Sequence, residues 1–120
     1  FSTNRLAQAG ALAALDDKDF IDMALDVNEK GKRYLCNELL KLGMSCCSSY
    51  ANFLFVNLGI NAQLASQKLL EKGIIIRPGS LWGLTNFARI TIGTMDQNKK
   101  LIESLNSIIT ELKEFDALVC

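Results

Sequence analysis

Two short β-rich apolar segments, each carrying one arginine, limit the possible folds of this chain more than any other feature. They place Arg77 and Arg89 within residues 73–94, and residues 78–87 between them hold the only Pro, the only Trp and two Gly. This pattern predicts two strands joined by a loop. An arginine within an apolar strand is costly to desolvate unless an anion meets it, so the segment predicts a ligand.

The two guanidinium groups leave two interpretations open. A guanidinium binds carboxylate or phosphate through a planar, bidentate fork, so neighbouring strands would let Arg77 and Arg89 reach one anion beside the 78–87 loop. Alternatively, each arginine pairs with a nearby carboxylate or points into solvent from an edge strand. Trp82 could likewise cover a flat ligand or fill a local core.

The start of the first predicted helix is a second candidate site. Residues 4–15 are strongly helix-forming, and Asn4 and Arg5 could present amide groups and positive charge to an anion. Ordinary capping is the alternative for this region, and Ser2 or Thr3 is the predicted N-cap.

Composition narrows the class of protein and of partner. The chain has 120 residues, 49% of them hydrophobic and 22% charged, which predicts one soluble globular domain. Thirteen Lys plus Arg balance thirteen Asp plus Glu, and no apolar run reaches the roughly 20 residues that span a bilayer. We therefore expect no nucleic-acid and no membrane partner. Because the chain begins at Phe1 without Met, we expect it to be a piece of a longer protein.

Cysteine and histidine usage limits the possible chemistry. The chain has no His, which removes Ser-His and Cys-His nucleophile systems, and its four Cys have no C-x-x-C spacing for zinc. We expect reduced structural thiols in a cytoplasmic protein, with a redox or catalytic cysteine as the alternative. No residue group predicts a metal site, and no lysine lies in a setting typical of Schiff-base chemistry.

The remaining pattern predicts three more helices and two more strands. The second helix covers residues 18–42, with Asp16 or Asp17 as its cap, Phe20, Val27 and Gly31 on its apolar face, and Gly43 at its end. Gly31 on that face predicts close packing. Strands at 44–48 and 53–58 form an antiparallel pair, and a helix at 62–72 is anchored by Leu64, Leu69 and Leu70.

The last predicted helix follows strands at residues 74–77 and 88–92. Thr94 and Gln97 have the spacing of a capping box, and an apolar face recurs at Leu101, Ile102, Leu105, Ile108, Ile109, Leu112 and Phe115. The order α-α-β-β-α-β-β-α predicts an α+β fold, a small mostly antiparallel sheet with helices packed on it.

Four segments in order carry a resemblance to a known family. Residues 1–15 (F-S-T-N-R-L-A-Q-A-G-A-L-A-A-L) and 49–53 (S-Y-A-N-F) come first, and residues 73–78 (G-I-I-I-R-P) and 81–94, with A-R-I-T-I-G-T at their end, follow. Together they resemble the C-terminal part of histidinol-phosphate aminotransferases, a branch of the fold-type I, class I/II pyridoxal-phosphate enzymes. Ser2 and Trp82 depart from the family's frequent Asn and Tyr.

The resemblance implies roles for three residues. The position that matches Arg89 binds the α-carboxylate of the amino-acid substrate. The position that matches Arg77 lies in the same pocket and helps to hold the substrate phosphate. Asn4 falls in a segment that borders the site.

The resemblance also implies a larger enzyme. Residues 1–120 would form the C-terminal small domain of a homodimeric aminotransferase that moves an amino group between L-histidinol phosphate and 2-oxoglutarate. The lysine that binds pyridoxal 5'-phosphate would lie in a large domain, N-terminal to this segment, so the segment alone is expected to be inactive. The alternatives are an aromatic aminotransferase, a phosphothreonine decarboxylase, or a free-standing module that binds an anion or a partner without catalysis.

Overall fold

The computed structural model describes residues 2–119, and the side chains of residues 2–111. The described elements are α1 (Arg5–Asp16), α2 (Lys18–Lys41), β1 (Ser45–Cys46), β2 (Phe53–Asn57), α3 (Ala62–Glu71), β3 (Arg77–Pro78), a 3₁₀ helix (Gly79–Trp82), β4 (Phe87–Thr91) and α4 (Met95–Val119). The predicted order of helices and strands is confirmed.

The four strands form one antiparallel sheet in the order β1-β2-β4-β3. Side chains alternate between the two faces of a strand, and Leu54, Val56, Ala88 and Ile90 are all buried on the same face. Helices α2, α3 and α4 cover that face and complete a single hydrophobic core. The α+β prediction is confirmed, and one sheet face is left without helices.

Helix α4 begins where its sequence predicts. The backbone N–H of Thr94 donates to Oε1 of Gln97 over 2.9 Å, and the N–H of Gln97 donates to Oγ1 of Thr94 over 3.4 Å, which is a capping box. The predicted apolar face is buried at Leu101, Ile102, Leu105, Ile108 and Ile109. Leu112 and Phe115 lie outside the described side chains.

Helix α2 confirms the interpretation of its two glycines. Gly31 is buried, and a Cβ built there would lie 2.6 Å from Cγ2 of Ile92 and 2.8 Å from Nδ2 of Asn98. Gly43 adopts φ 81° after the helix end, a left-handed conformation that glycine accepts without strain. Asp17 is the N-cap of α2, since its side chain accepts a hydrogen bond from the N–H of Phe20 over 3.0 Å.

The predicted apolar face of α2 is wrong in the first half of the helix. Phe20 and Val27 are exposed, and the buried residues of α2 are Gly31, Leu35 and Leu39. The residues of α2 that reach the hydrophobic core, packed with β1 and α4, all come from the second half of the helix. The apolar side chains of the first half therefore have no described core to pack against.

Two further predictions need correction. The N-cap of α1 is Asn4 rather than Ser2 or Thr3, because Oδ1 of Asn4 accepts from the N–H of Ala7 over 2.7 Å. The anchors of α3 are Ala62, Ala65 and Leu69. Leu64 and Leu70 are exposed, since small alanines let α3 approach the core closely.

Strand β3 is shorter than predicted. The N–H of Ile74 donates to the carbonyl of Leu69 over 2.9 Å, which closes the end of α3 in the manner of a Schellman motif. Residues 74–76 are therefore used to leave the helix, and pairing with β4 begins only at Arg77.

Candidate anion-binding site

The helix-free face of the sheet carries a row of three paired residues. Arg77 on β3 is the register partner of Arg89 on β4, and Arg89 is in turn the partner of Phe55 on β2. Cross-strand partners point to the same face of a sheet. The structure therefore brings both predicted arginines together, beside one aromatic ring.

Each guanidinium contacts an aromatic ring. Cζ of Arg77 lies 5.3 Å from the ring centroid of Trp82, and Cζ of Arg89 lies 5.5 Å from that of Phe53. Both distances are within the range of a cation–π interaction. These contacts orient the two charges while leaving the hydrogen-bond donors of the guanidinium groups available.

Among the described residues, neither arginine has a carboxylate partner. The ion pairs of the described part of the chain involve other cations, on α2, on α3 and at the end of α3, and neither guanidinium donates a described hydrogen bond. Arg77 is exposed on the edge strand β3, whereas Arg89 is half-buried on the interior strand β4. Two like charges directly opposite each other destabilise a sheet, and a bound anion would reverse that effect.

A cluster of aromatic rings borders the two charges. The rings of Phe55 and Phe87 stack with centroids 5.2 Å apart, and Trp82 meets Phe55 edge-on at 6.0 Å. Sequence reasoning missed Phe53, Phe55 and Phe87 as site residues. The available signal was the period of two along each strand, which puts them on the face of Arg89.

The 78–87 loop folds back tightly and so places Trp82. A Cβ on buried Gly79 would lie 2.7 Å from the carbonyl oxygen of Leu84 and 2.9 Å from that of Phe87. Only glycine fits this close approach of backbone to backbone. Trp82 is thereby held beside Arg77 and edge-on to Phe55, and the covering of a flat ligand by its ring stays a prediction.

Asn4 makes its described hydrogen bonds with residues of α1 and not with the arginine pair. It is exposed at the start of α1, where its side chain caps that helix, and α1 packs on α2. The described contacts do not join Asn4 to Arg77 or Arg89, so its role in substrate binding stays a prediction.

The described residues include neither a metal-ligand cluster nor a helix that could cross a membrane. No group of three or more Cys, Asp or Glu side chains in that part of the chain is arranged to hold a metal ion. None of its helices combines the length and the apolar character that crossing a membrane requires.

Comparison with known proteins identifies the family. The sequence pattern of the family "Aminotransferase class I and II" matches residues 1–105. A match over this share of the chain, together with the fold above, establishes that the chain belongs to the class I and II aminotransferases.

Within that family, the chain is similar in sequence to histidinol-phosphate aminotransferases. The chain is 38% identical over 109 residues to a histidinol-phosphate aminotransferase of Moorella thermoacetica, covering 91% of this chain and 28% of that protein. It is 38% identical over 112 residues to that of Desulfotalea psychrophila, covering 93% of this chain and 30% of the relative. The chain thus spans less than a third of the length of these relatives.

Solved structures show the same fold. The histidinol-phosphate aminotransferase of Clostridium acetobutylicum superimposes with a TM-score of 0.79 at 27% identity, covering 88% of this chain and 33% of that one. The enzyme of Sinorhizobium meliloti, solved in complex with pyridoxal-5'-phosphate, gives 0.80 at 24% identity, covering 92% of this chain and 31% of the other.

Proposed function

We propose that residues 1–120 form the C-terminal small domain of a pyridoxal-phosphate-dependent aminotransferase. Its reaction would move an amino group between L-histidinol phosphate and 2-oxoglutarate. The observation that carries the proposal is the pair Arg77 and Arg89, adjacent on one sheet face and without a described anionic partner. The family match supports the reaction class, and the curated relatives support the substrate.

The described residues fit the substrate-facing side of such a site. Pyridoxal phosphate, when bound, supplies an electron sink for the carbon that gains or loses the amino group. Strands β2, β3 and β4 carry two arginines and several aromatic rings but no lysine. As the family resemblance implies, the lysine that holds the cofactor is expected in a large domain N-terminal to this segment.

The two substrates of this reaction differ in the anion beside the reacting carbon. L-Histidinol phosphate offers a phosphate, whereas glutamate and 2-oxoglutarate offer a carboxylate, and a guanidinium fork binds either. Half-buried Arg89 binds the carboxylate, and the more exposed Arg77 helps to hold the phosphate. Fixing the anion orients the Cα–H bond for proton removal, which is a positioning role.

We also propose that another part of the complete protein covers helix α1. The described residues of α1 include no buried side chain, although Leu6, Leu12 and Leu15 are apolar. In a longer protein the large domain would cover this helix. A homodimeric, cytoplasmic parent enzyme remains a further part of the proposal.

Turnover by the complete protein tests the substrate. We expect the highest kcat/KM for amino transfer from L-histidinol phosphate to 2-oxoglutarate, compared with phenylalanine as amino donor. A preference for phenylalanine would favour an aromatic aminotransferase, and carbon dioxide release from O-phosphothreonine would favour a decarboxylase.

The coding sequence upstream of Phe1 tests the domain assignment. An in-frame large domain with a cofactor-binding lysine would support the aminotransferase. A start codon near Phe1 would instead favour a free-standing module that binds an anion or a partner protein.

A further inference from the structure

Three thiols gather at a surface cavity that the proposed function does not use. Cys36 on α2, Cys46 on β1 and the adjacent Cys47 line a cavity of about 520 Å³, together with Lys32. Cys36 and Cys46 are half-buried, Cys47 is exposed, and all three are free thiols. The cavity lies between the second half of α2 and the sheet edge formed by β1, whereas Arg77 belongs to the opposite edge strand, β3.

Cys36 and Cys46 line the same cavity from two packed elements. Helix α2 packs on β1, and both thiols lie against the hydrophobic core. Cys46 is the register partner of the buried Val56, so its side chain points to the face of the sheet that the helices cover. Strand β1 is only two residues long and lies at the sheet edge, so a small shift of it toward α2 breaks few hydrogen bonds.

We propose that Cys36 and Cys46 form a modification site for low-molecular-weight disulfides, which convert this pair into a disulfide joining α2 to β1. The Cys36 thiolate attacks one sulfur of the small disulfide, forms a mixed disulfide and releases one thiolate. The Cys46 thiolate then attacks the Cys36 sulfur and releases the second. Two protein thiols and one small disulfide thus give one protein disulfide and two small thiols.

The second step depends on pH. Burial raises the pKa of the Cys46 thiol to about 12, with further contributions from Cys36 and Cys47. The other charged group that lines the cavity is Lys32, from α2. Because only the thiolate attacks, the rate of ring closure is expected to rise about tenfold for each pH unit below that pKa.

Peptide mapping of the complete protein tests the proposal. The protein is incubated with oxidised glutathione, its free thiols are alkylated, and it is digested with trypsin without reduction. Cleavage after Arg33, Lys41 and Lys68 separates residues 34–41, which hold Cys36, from residues 42–68, which hold Cys46 and Cys47. We expect these two peptides to be joined, with release of both on reduction.

Single substitutions assign the bond. Cys47→Ser is expected to retain the joined peptides, and Cys46→Ser and Cys36→Ser to abolish them. Glutathione found only on Cys47, a bond between Cys46 and Cys47, or free Cys36 after prolonged incubation at high pH would overturn the proposal. The mapping measures no catalytic activity, so its result is independent of whether the proposed transamination is correct.

Discussion

The arginine pair places two like charges next to each other on one face of the sheet. Arg77 and Arg89 are direct cross-strand partners, and like charges at such positions repel. Aromatic contacts with Trp82 and Phe53 reduce this cost but do not neutralise the charge. A carboxylate or phosphate bound as proposed would supply negative charge, so occupancy of the site and stability of the sheet should be linked.

Replacement of Arg89 measures its role in substrate binding. Arg89→Ala removes charge-assisted hydrogen bonds worth about 1.5–3 kcal/mol, so kcat/KM of the complete enzyme should fall about 10- to 150-fold. Arg89→Lys retains the charge without the bidentate fork, and a smaller loss is expected. Steady-state kinetics with each substrate measures both.

Arg33→Ala is the matched control for loss of an arginine. Arg33 is exposed on α2, where it pairs with Glu29 over 3.0 Å, and it does not belong to the sheet face that carries Arg77 and Arg89. Its replacement should leave kcat/KM unchanged. Equal losses for Arg33→Ala and Arg89→Ala, or an unchanged value for Arg89→Ala, would contradict the assignment.

Trp82 is expected to position Arg77 rather than to react. Trp82→Ala removes the ring 5.3 Å from Cζ of Arg77, a contact worth about 0.5–1 kcal/mol at an exposed site. KM for L-histidinol phosphate should therefore rise about two- to five-fold with little change in kcat. Trp82→Phe keeps a ring in place and should recover part of this loss. A fall in kcat alone would argue against a positioning role.

One glycine, Gly31, sets how closely helix α2 approaches the start of α4. Alanine is a better helix former than glycine by about 1 kcal/mol, so Gly31→Ala would stabilise an isolated helix. Here the new Cβ would lie 2.6 Å from Cγ2 of Ile92. We expect overpacking to cost about 1–3 kcal/mol. After the gain in helix propensity, the net destabilisation, measured by urea unfolding, is expected to reach about 2 kcal/mol.

A second substitution distinguishes the steric cause from other effects. Ile92→Ala removes the Cγ2 atom, so Gly31→Ala should cost less in that background than alone. An additive result in this double-mutant cycle would mean that Ile92 is not the source of the cost. The 2.8 Å approach to Nδ2 of Asn98 would then be the remaining candidate.

Elements were predictable where local chemistry and packing agree. The capping box of Thr94 and Gln97 and the long apolar face behind it define α4 from sequence alone. The anchors of α3 were predicted by side-chain size, which favoured Leu64 and Leu70. The fold instead buries alanines there, because the distance between layers is a property of the tertiary structure and has no local signal.

The candidate site, too, was predictable only where the sequence carries a local signal. Arg77 and Arg89 were predictable as site residues, because each is an isolated arginine in an apolar strand and its desolvation is costly unless an anion meets it. Their direct pairing and the ring of Phe55 beside them depend on β4 inserting between β2 and β3, a long-range arrangement that spacing along the chain does not specify.

Many of the exposed apolar side chains of the described residues lie on α1 and the first half of α2. We define the apolar α1–α2 surface as the exposed residues Leu6, Leu12, Leu15, Phe20 and Met23. Leu6 is 85% exposed, and α1 contributes nothing to the hydrophobic core of the described residues. Exposed apolar side chains on both α1 and α2 are typical of an interface, and under the proposed function the rest of the polypeptide is expected to cover them.

The behaviour of the 120-residue chain on its own tests that assignment. Produced alone, the chain should self-associate through the apolar α1–α2 surface, which light scattering over a range of concentrations would detect. A triple variant with Leu6→Gln, Leu12→Gln and Leu15→Gln should self-associate less. Leu70→Gln with Ile75→Gln is the control, because both residues are exposed outside that surface. In the complete protein, the triple variant should instead lower the unfolding temperature, since each leucine buried at an interface contributes about 1.5–3 kcal/mol. If the triple variant left the complete protein as stable as the control variant does, the large domain could not be the covering of α1.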